Sequence, residues 1–367
     1  MIEKNFPLKK ILDIFSAHSR KGDLEELERQ GYINKSKRFR SGAIVKKGWG
    51  IESLPQIGEH IGFFPRFSQP VAVSVFTTKG GVLKSTLALN LARVAALHNV
   101  KTCVVGLDIQ GDITTALGFE NDIEDSEDLH SILDRLNNTK GLADLFNGQT
   151  RLGDVIQPTD LDRLFLIPET PELVAMNDSL GNIHRREFWI KEKIVEKLKK
   201  DFDLVIMDCS PNWNQLTTNA LVGCDVLISP LECKINNFRN FKVFRHFLNE
   251  FKEEMKMSFK TIFVPTRFSV NRKLSLEIRS WYENNVEGCT QCGLRESVLG
   301  EEATALYSSV LEHVPGKVPA KEMKNLLQEI HSIVQENIDQ KNRGDFYSIN
   351  GYSPVGNGDP VFGREFR

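Results

Sequence analysis

The sequence contains no run of 18 uncharged apolar residues, so no segment has the composition of a bilayer span. Residues 1–19 lack an apolar stretch followed by a small-residue cleavage site, and no signal peptide is expected. Cysteine is sparse, at six in 367 residues, several of them inside strand-like apolar runs. That usage suits a reducing cytosol better than a disulfide scaffold. Cys289 and Cys292 form one CxxC pair with no second pair to complete a zinc site, so structural thiols are expected. Internal repeats are absent. So is an excess of one charge: 47 basic and 49 acidic residues leave a net −2, which excludes a histone-like polycation.

The balance conceals a division. Residues 1–70 hold 13 Lys/Arg against 8 Asp/Glu, and the remainder holds 34 against 41. A basic front end on an acidic body suggests a module directed at a polyanion. Residues 1–69 are therefore expected to form a separate N-terminal module, with Pro65 and Pro70 bracketing a linker. The length allows two or three domains, or one large α/β domain with an appendage. From 71 onward, short β-branched runs (71–76, 102–105, 204–207, 226–228, 262–264) alternate with helical stretches (84–97, 187–200, 214–222, 237–256, 321–338). Such alternation predicts right-handed βαβ units and a doubly wound, mostly parallel sheet over 70–338. Residues 339–367 are polar, Gly-rich and aperiodic, and predict a mobile tail. The 321–338 helix has Met323, Leu326, Leu327, Ile330 and Val334 at helical spacing, a core-facing stripe.

The most specific signal is Thr78-Lys79-Gly80-Gly81-Val82-Leu83-Lys84-Ser85-Thr86, between a predicted strand and a predicted helix. Backbone N–H groups at a helix start converge on an anion, and small residues let the backbone approach it. Lys84 is placed to reach β- and γ-phosphates, and the Ser85 hydroxyl to ligate Mg²⁺. A plain Gly-rich turn would have no use for Lys-Ser-Thr in that order. Thr78 and Leu83 stand where GxxxxGK[ST] has glycines. If Leu83 takes a positive φ, the strain is roughly 1–3 kcal/mol.

With Lys79 as an added lysine, this loop resembles the deviant Walker A motif, KGGxGK[ST], of the ParA/MinD ATPase family. Two further segments agree. Gly106-Leu107-Asp108-Ile109-Gln110-Gly111 resembles DxDPQGN, with Asp108 at the second Asp and Gly106 replacing the first. Phe202 to Pro211 resembles the Walker B stretch, with Asp208 at its acid. Thr266 and Arg267 fall where the family's adenine-contacting strand end lies. Asn271 to Ser275 resembles the stretch that follows. The resemblance covers about 70–336 and implies a P-loop fold closest to the large plasmid-type ParA partition ATPases.

It implies ATP and Mg²⁺ as cofactors, bound by residues 79–86, Thr266 and Arg267, with Ser85 and Asp208 at the metal. It implies Asp108 as the residue that positions the attacking water. Lys79 would cross a homodimer interface to the partner's nucleotide, much as an arginine finger does in trans. ATP would then favour the dimer, and slow, partner-stimulated hydrolysis would dissolve it. The expected partners are DNA, a ParB-like centromere-binding protein and a second copy, with no membrane. The expected location is the cytoplasm, associated with the nucleoid.

In the N-terminal module, Leu8, Ile11, Leu12 and Phe15 share a helical face, and Asp23 to Gln30 predicts a second helix closed by Gly31. Lys35, Lys37, Arg38, Arg40, Lys46 and Lys47 follow with no acid between Glu28 and Glu52, around a hairpin turning at Ser41-Gly42. A helix over 54–63 would complete a winged helix-turn-helix, a region the plasmid-type relatives carry. Its lysines and arginines would supply phosphate contacts. Arg272 and Lys273 are the candidates for DNA binding by the body, with Lys317 and Lys321 second. Two other functions fit the sequence: a transcriptional repressor regulated by its nucleotide state, and a MinD-like membrane-positioning ATPase. The latter needs a basic amphipathic C-terminal helix, which the glycines and prolines of the tail disfavour.

Overall fold

The computed structural model describes residues 5–15, 21–41, 44–119 and 139–349. Its first part runs β1 (Asn5–Pro7), α1 (Leu8–Phe15), α2 (Lys21–Gln30), β2 (Lys37–Ser41), β3 (Ile44–Gly50) and, after a single 3₁₀ turn, α3 (Leu54–Ile61). The three strands form a small antiparallel sheet in the order β1-β3-β2. Ser41 pairs with Ile44; Gly42, part of the expected Ser41-Gly42 turn, lies outside the described residues.

The body is one eight-stranded sheet. Its strands are β4 (Val71–Val75), β5 (Thr102–Leu107), β6 (Gln157–Pro158), β7 (Leu164–Ile167), β8 (Leu204–Cys209), β9 (Val226–Glu232), β10 (Lys260–Phe268) and β11 (Leu294–Arg295). The order is β11-β10-β9-β4-β8-β5-β7-β6, parallel throughout except the β6–β7 edge pair. Strands β4, β5, β8 and β9 are buried at every position, as expected for a parallel sheet covered on both faces. The chain winds to one side of β4 through β5 and to the other through β9. This places the end of β4 at a topological switch point, where open α/β sheets bind ligands.

Helix α4 (Lys84–Leu97) follows β4 and has 12 buried residues out of 14. Its Ala- and Leu-rich sequence has no polar face to offer solvent. In the middle of the helix, Arg93 is fully buried and donates to both carboxylate oxygens of Asp160 and of Glu312, at 2.7–3.0 Å. Burial alone would raise the Glu312 carboxyl; Arg93 and the Ser309 cap bring it down to about 2. Asn90, one turn earlier, accepts from the Val310 N–H and donates to the Thr86 carbonyl.

Two sequence expectations need correction. The N-terminal module is not separate. Its apolar residues Ile11, Phe15, Leu54, Ile57, Phe64 and Phe67 belong to one continuous core with α4 and the C-terminal helix. Gly58 lies so close to the Leu97 carbonyl that a Cβ there would stand 2.0 Å from it. The expected linker is pinned to the body at two points, because Phe64 and Phe67 are buried on His331, whose Nε2 meets the Pro65 carbonyl at 2.8 Å, while Pro65, Arg66 and residues 68–70 stay exposed. Nor does the C-terminal helix stop at 338. It runs Val318–Ile349, eleven residues into the expected tail, with Ile338 the last buried apolar residue among those whose side chains are described. The rest of that tail lies outside the described residues.

His98 caps the end of α4 inside this junction. Its Nδ1 meets the Val94 carbonyl at 2.7 Å, its Nε2 has no partner, and Phe15, Phe63 and Phe64 surround the ring. Burial pushes its pKa down to about 4 from 6.5. The folded state therefore resists a proton that the unfolded chain accepts. Stability should be fully present above pH 6.5 and fall as the pH drops toward 4, by about 3 kcal/mol from this group. Urea midpoints across that range should show the decline, and His98→Phe should flatten it.

Candidate active site

The loop between β4 and α4 folds as a phosphate cradle requires. Gly81 has φ +70° and Leu83 has φ +73°, both left-handed, so the leucine does carry the strain expected of it. The end of β10 holds the loop. Arg267 Nη1 donates to the Gly81 carbonyl at 2.8 Å, and Thr266 Oγ1 to the Val82 carbonyl at 3.3 Å. In a planar trans peptide the N–H points opposite to the C=O. The N–H groups of Val82 and Leu83 are therefore turned away from β10, toward the inside of the loop. Lys84 is buried and donates back across it to the Lys79 carbonyl at 3.3 Å. Lys79, Gly80 and Gly81 are exposed.

Asp208, at the end of β8, is fully buried, and neither of its oxygens has a hydrogen-bond partner. Burial raises its pKa to about 7, with Asp108 and Asp112 adding to the rise and Ser85 and Lys84 opposing it. Asp108 lies just past β5, buried, with Oδ1 accepting from the Gln110 N–H at 3.1 Å. Among the described residues no group of three His, Cys, Asp or Glu side chains is placed to hold a metal ion alone. One orphaned carboxylate beside a serine fits a cation that takes its other ligands from phosphate and water, as Mg²⁺ does. Ser85 and Asp208 are the residues that could hold it.

Beside the loop, an open cleft has an apolar floor of Leu83, Leu294, Val310 and Met323, rimmed by polar groups that include Arg267, Arg295, Glu296 and Glu322. Such a floor could seat a planar base. Arg267 thus braces the loop and borders the cleft at once; its own φ is +50°, and Glu296 and Glu232 hold its guanidinium. Arg272 opens the helix Lys273–Asn285 on the same edge of the sheet, and exposed Lys273 pairs loosely with Glu277 at 3.6 Å. Lys35, Lys37, Arg38, Arg40 and Lys47 are exposed around the N-terminal hairpin, and Lys46 is half-buried. Five of those six belong to β2 and β3 of the small sheet and Lys35 precedes β2, apart from the phosphate loop in the fold.

Sequence reasoning missed Glu169, just beyond β7. Its Oε2 accepts from both the N–H and the hydroxyl of Thr114, at 3.0 and 2.6 Å, and its Oε1 is buried without a partner. Burial, then Asp208, raises its pKa to about 8. The available signal was Gly106, a missing side chain in a motif that otherwise carries an acid. Cys289 and Cys292 are free thiols, both raised first by burial, to about 12 and 11.

A family model described as "AAA domain" matches residues 71–261, more than half of the chain, and the chain belongs to that family. The chromosome partitioning protein ParA of Myxococcus xanthus is 26% identical over 220 residues, covering 58% of this chain and 72% of that one. The chromosome-partitioning ATPase Soj of Treponema pallidum is 31% identical over 158 residues, covering 42% of this chain and 54% of that one. The fold matches the McdA–ATP complex of Cyanothece with a TM-score of 0.59 at 16% identity, over 74% of this chain and 97% of that one. Cobyrinic acid a,c-diamide synthase of Mycobacterium smegmatis, with an ATP analogue and magnesium, matches at 0.53 and 21%, over 70% and 93%. The chain is thus a member of that AAA-domain family with partition ATPases among its relatives, and its body has the doubly wound, mostly parallel sheet that the sequence predicts.

If the cradle holds phosphates, Lys84→Ala should abolish nucleotide binding, because it removes the cation facing them. Lys79 is exposed, so Lys79→Ala should keep ADP affinity within about threefold while losing ATP-dependent association. Fluorescent-nucleotide titration and sedimentation measure the two. Equal loss of ADP affinity in both variants would remove Lys79 from any role in trans.

Proposed function

We propose that this protein is an ATP-hydrolysing partition switch that dimerises with ATP, binds DNA, and is reset when a ParB-like partner stimulates hydrolysis. The observation that carries this reading is Asp208, buried with both oxygens unpartnered beside Lys84, Ser85 and Asp108. A carboxylate is kept dry and unsatisfied at such cost only where a ligand completes it. Lys84 and the loop N–H groups would bind and orient the phosphates of ATP, and Ser85 and Asp208 would hold Mg²⁺. Bound there, the cation would neutralise charge on the phosphates. Asp108 would accept from and orient the attacking water.

Dimerisation is supported by the edge that carries the loop. Ile109, Trp213, Ile235, Val270 and Leu274 are all exposed there, each on a segment that follows the C-terminal end of a parallel strand. Such residues suit a face that is covered when nucleotide is bound. ATP bridging two copies would stabilise that state by mass action. A cytoplasmic, nucleoid-bound location follows from this reading.

Two sets of cations support DNA binding. The N-terminal order of strand, two helices and hairpin suits a winged helix. Yet α2, where a recognition helix would lie, has four acids, Asp23, Glu25, Glu26 and Glu28, against Lys21 and Arg29. Glu28 moreover holds Lys47 at 3.7 Å and Ser36. DNA contact therefore falls to the hairpin, through Lys35, Lys37, Arg38, Arg40, Lys46 and Lys47. On the body, Arg272 and Lys273 occupy the nucleotide edge, where dimerisation would add a second copy of each.

Asp108→Ala should bind ATP and dimerise normally yet hydrolyse at least tenfold more slowly, in an ATPase assay with DNA and the partner present. Wild-type turnover would assign the water to another residue. Because the module shares its core with the body, the DNA test uses the full chain. Neutralising Arg272 and Lys273 should weaken ATP-dependent binding to random DNA and flatten its salt dependence. Neutralising Arg38 and Arg40 should weaken binding to the chain's own upstream DNA. If both pairs lose random-DNA binding equally, the body has no mode of its own.

A further inference from the structure

Glu169 and Gly106 occupy one another's space. A Cβ built on Gly106 would stand 2.5 Å from both Cγ and Cδ of Glu169 and 2.9 Å from its Oε1. Gly106 is also the residue that pairs in register with Asp208 across β5 and β8. The Glu169 side chain therefore lies over the strand position directly beside the candidate metal carboxylate, two residues before Asp108. It arrives from a different part of the chain, the turn after β7, because β7 pairs with β5 from Thr102 to Val105 and ends next to Gly106.

Its contacts are one-sided. Oε2 takes both donors of Thr114, and the Glu169 N–H donates back to Thr114 Oγ1 at 2.9 Å. Thr114 lies in α5 (Asp112–Ala116), the short helix entered through Gly111 at φ +73° just after the Asp108–Gln110 turn. Three hydrogen bonds thus tie the turn after β7 to the far side of the Asp108 loop. Oε1 is left buried with no donor, in a residue 5% exposed. An acid needed only to hold Thr114 has no reason to keep a second oxygen dry and unsatisfied.

We infer that Glu169 is the positioning residue of the hydrolytic loop, doing from the end of β7 what a side chain at position 106 would otherwise do. One oxygen latches α5 and so sets where Asp108 points. The other, buried and without a donor, is the acceptor for one proton of a water molecule beside the Gly106 position. Gly106 is the complement of this arrangement, since any side chain there would displace the Glu169 carboxylate. The inference rests on the ATPase reading for its kinetic consequence, but the latch itself exists without nucleotide.

The experiment compares full-length wild type with Glu169→Ala, Glu169→Gln, Gly106→Asp and the double variant Gly106→Asp/Glu169→Ser. In nucleotide-free protein, Glu169→Ala should speed amide hydrogen exchange at least tenfold over 108–117 and leave α4 and β8 unchanged. Glu169→Gln keeps the shape and an acceptor for Thr114, and should exchange as wild type does. Unchanged exchange over 108–117 in Glu169→Ala, or equal acceleration throughout the body, would overturn the latch. In the ATPase assay, Gly106→Asp alone should lower kcat at least tenfold with ATP affinity held within threefold. The double variant should return kcat to within threefold of wild type. A double variant no better than Gly106→Asp, with ATP binding intact, would overturn the interchange of the two positions. Should wild type itself not hydrolyse ATP, the functional reading falls, and the exchange measurement alone decides the latch.

Discussion

The structure depends on one buried cation. Arg93 sits in the middle of the helix that starts at the phosphate loop, wholly out of water, and is held by four hydrogen bonds to two carboxylates from different parts of the chain. A guanidinium in that place is tolerable only with such geometry, and losing either partner would leave half of its buried hydrogen bonds unmade. The pairing therefore forces Asp160, ahead of β7, and Glu312, ahead of the C-terminal helix, to close on α4 together. With Asn90 tied to Val310, it fixes the helix against the two elements that border the cleft beside the loop and the Glu169 turn. The loop at the head of that helix then has little freedom, and strain at Leu83 can be stored there and not relaxed.

Much of this was legible in the sequence because it is local. Helix α4 falls on the residues predicted for it, since a lysine-headed Leu/Ala run between two β-branched strands admits few alternatives. The five core strands are where their apolar runs stand, four of them somewhat longer than the run and β4 one residue shorter. Lys84, Asp108 and Asp208 are recognisable for the same reason: each follows directly from a strand that the hydrophobic pattern marks, and parallel strands bring their ends to one edge.

What was not legible is tertiary. Glu169 reads as an ordinary loop acid until β7 is paired with β5, and β7 itself is only four residues long. The Phe64-Pro65-Arg66-Phe67 stretch looks like a linker because prolines bracket it. Its two phenylalanines pack instead on a histidine of the C-terminal helix. Polar composition likewise suggested a tail from 339, but a helix already anchored by Leu326, Ile330, Val334 and Ile338 can extend past them at little further cost. The acidity of α2 was present in the letters. Its weight appeared only when Glu28 was placed against Lys47 and Ser36 of the basic segment.

The junction at His98 also bears on how such a chain can evolve. Domains that recombine as cassettes meet through small polar surfaces, so that one half can be exchanged without altering the other. Here the N-terminal module enters a glycine-width gap at Leu97, buries two phenylalanines on His331 and encloses the cap of α4. A foreign module placed at the same boundary would meet the wrong shape on two helices at once. Inheritance of the two parts must therefore be joint, with Gly58, His98 and His331 changing together or not at all.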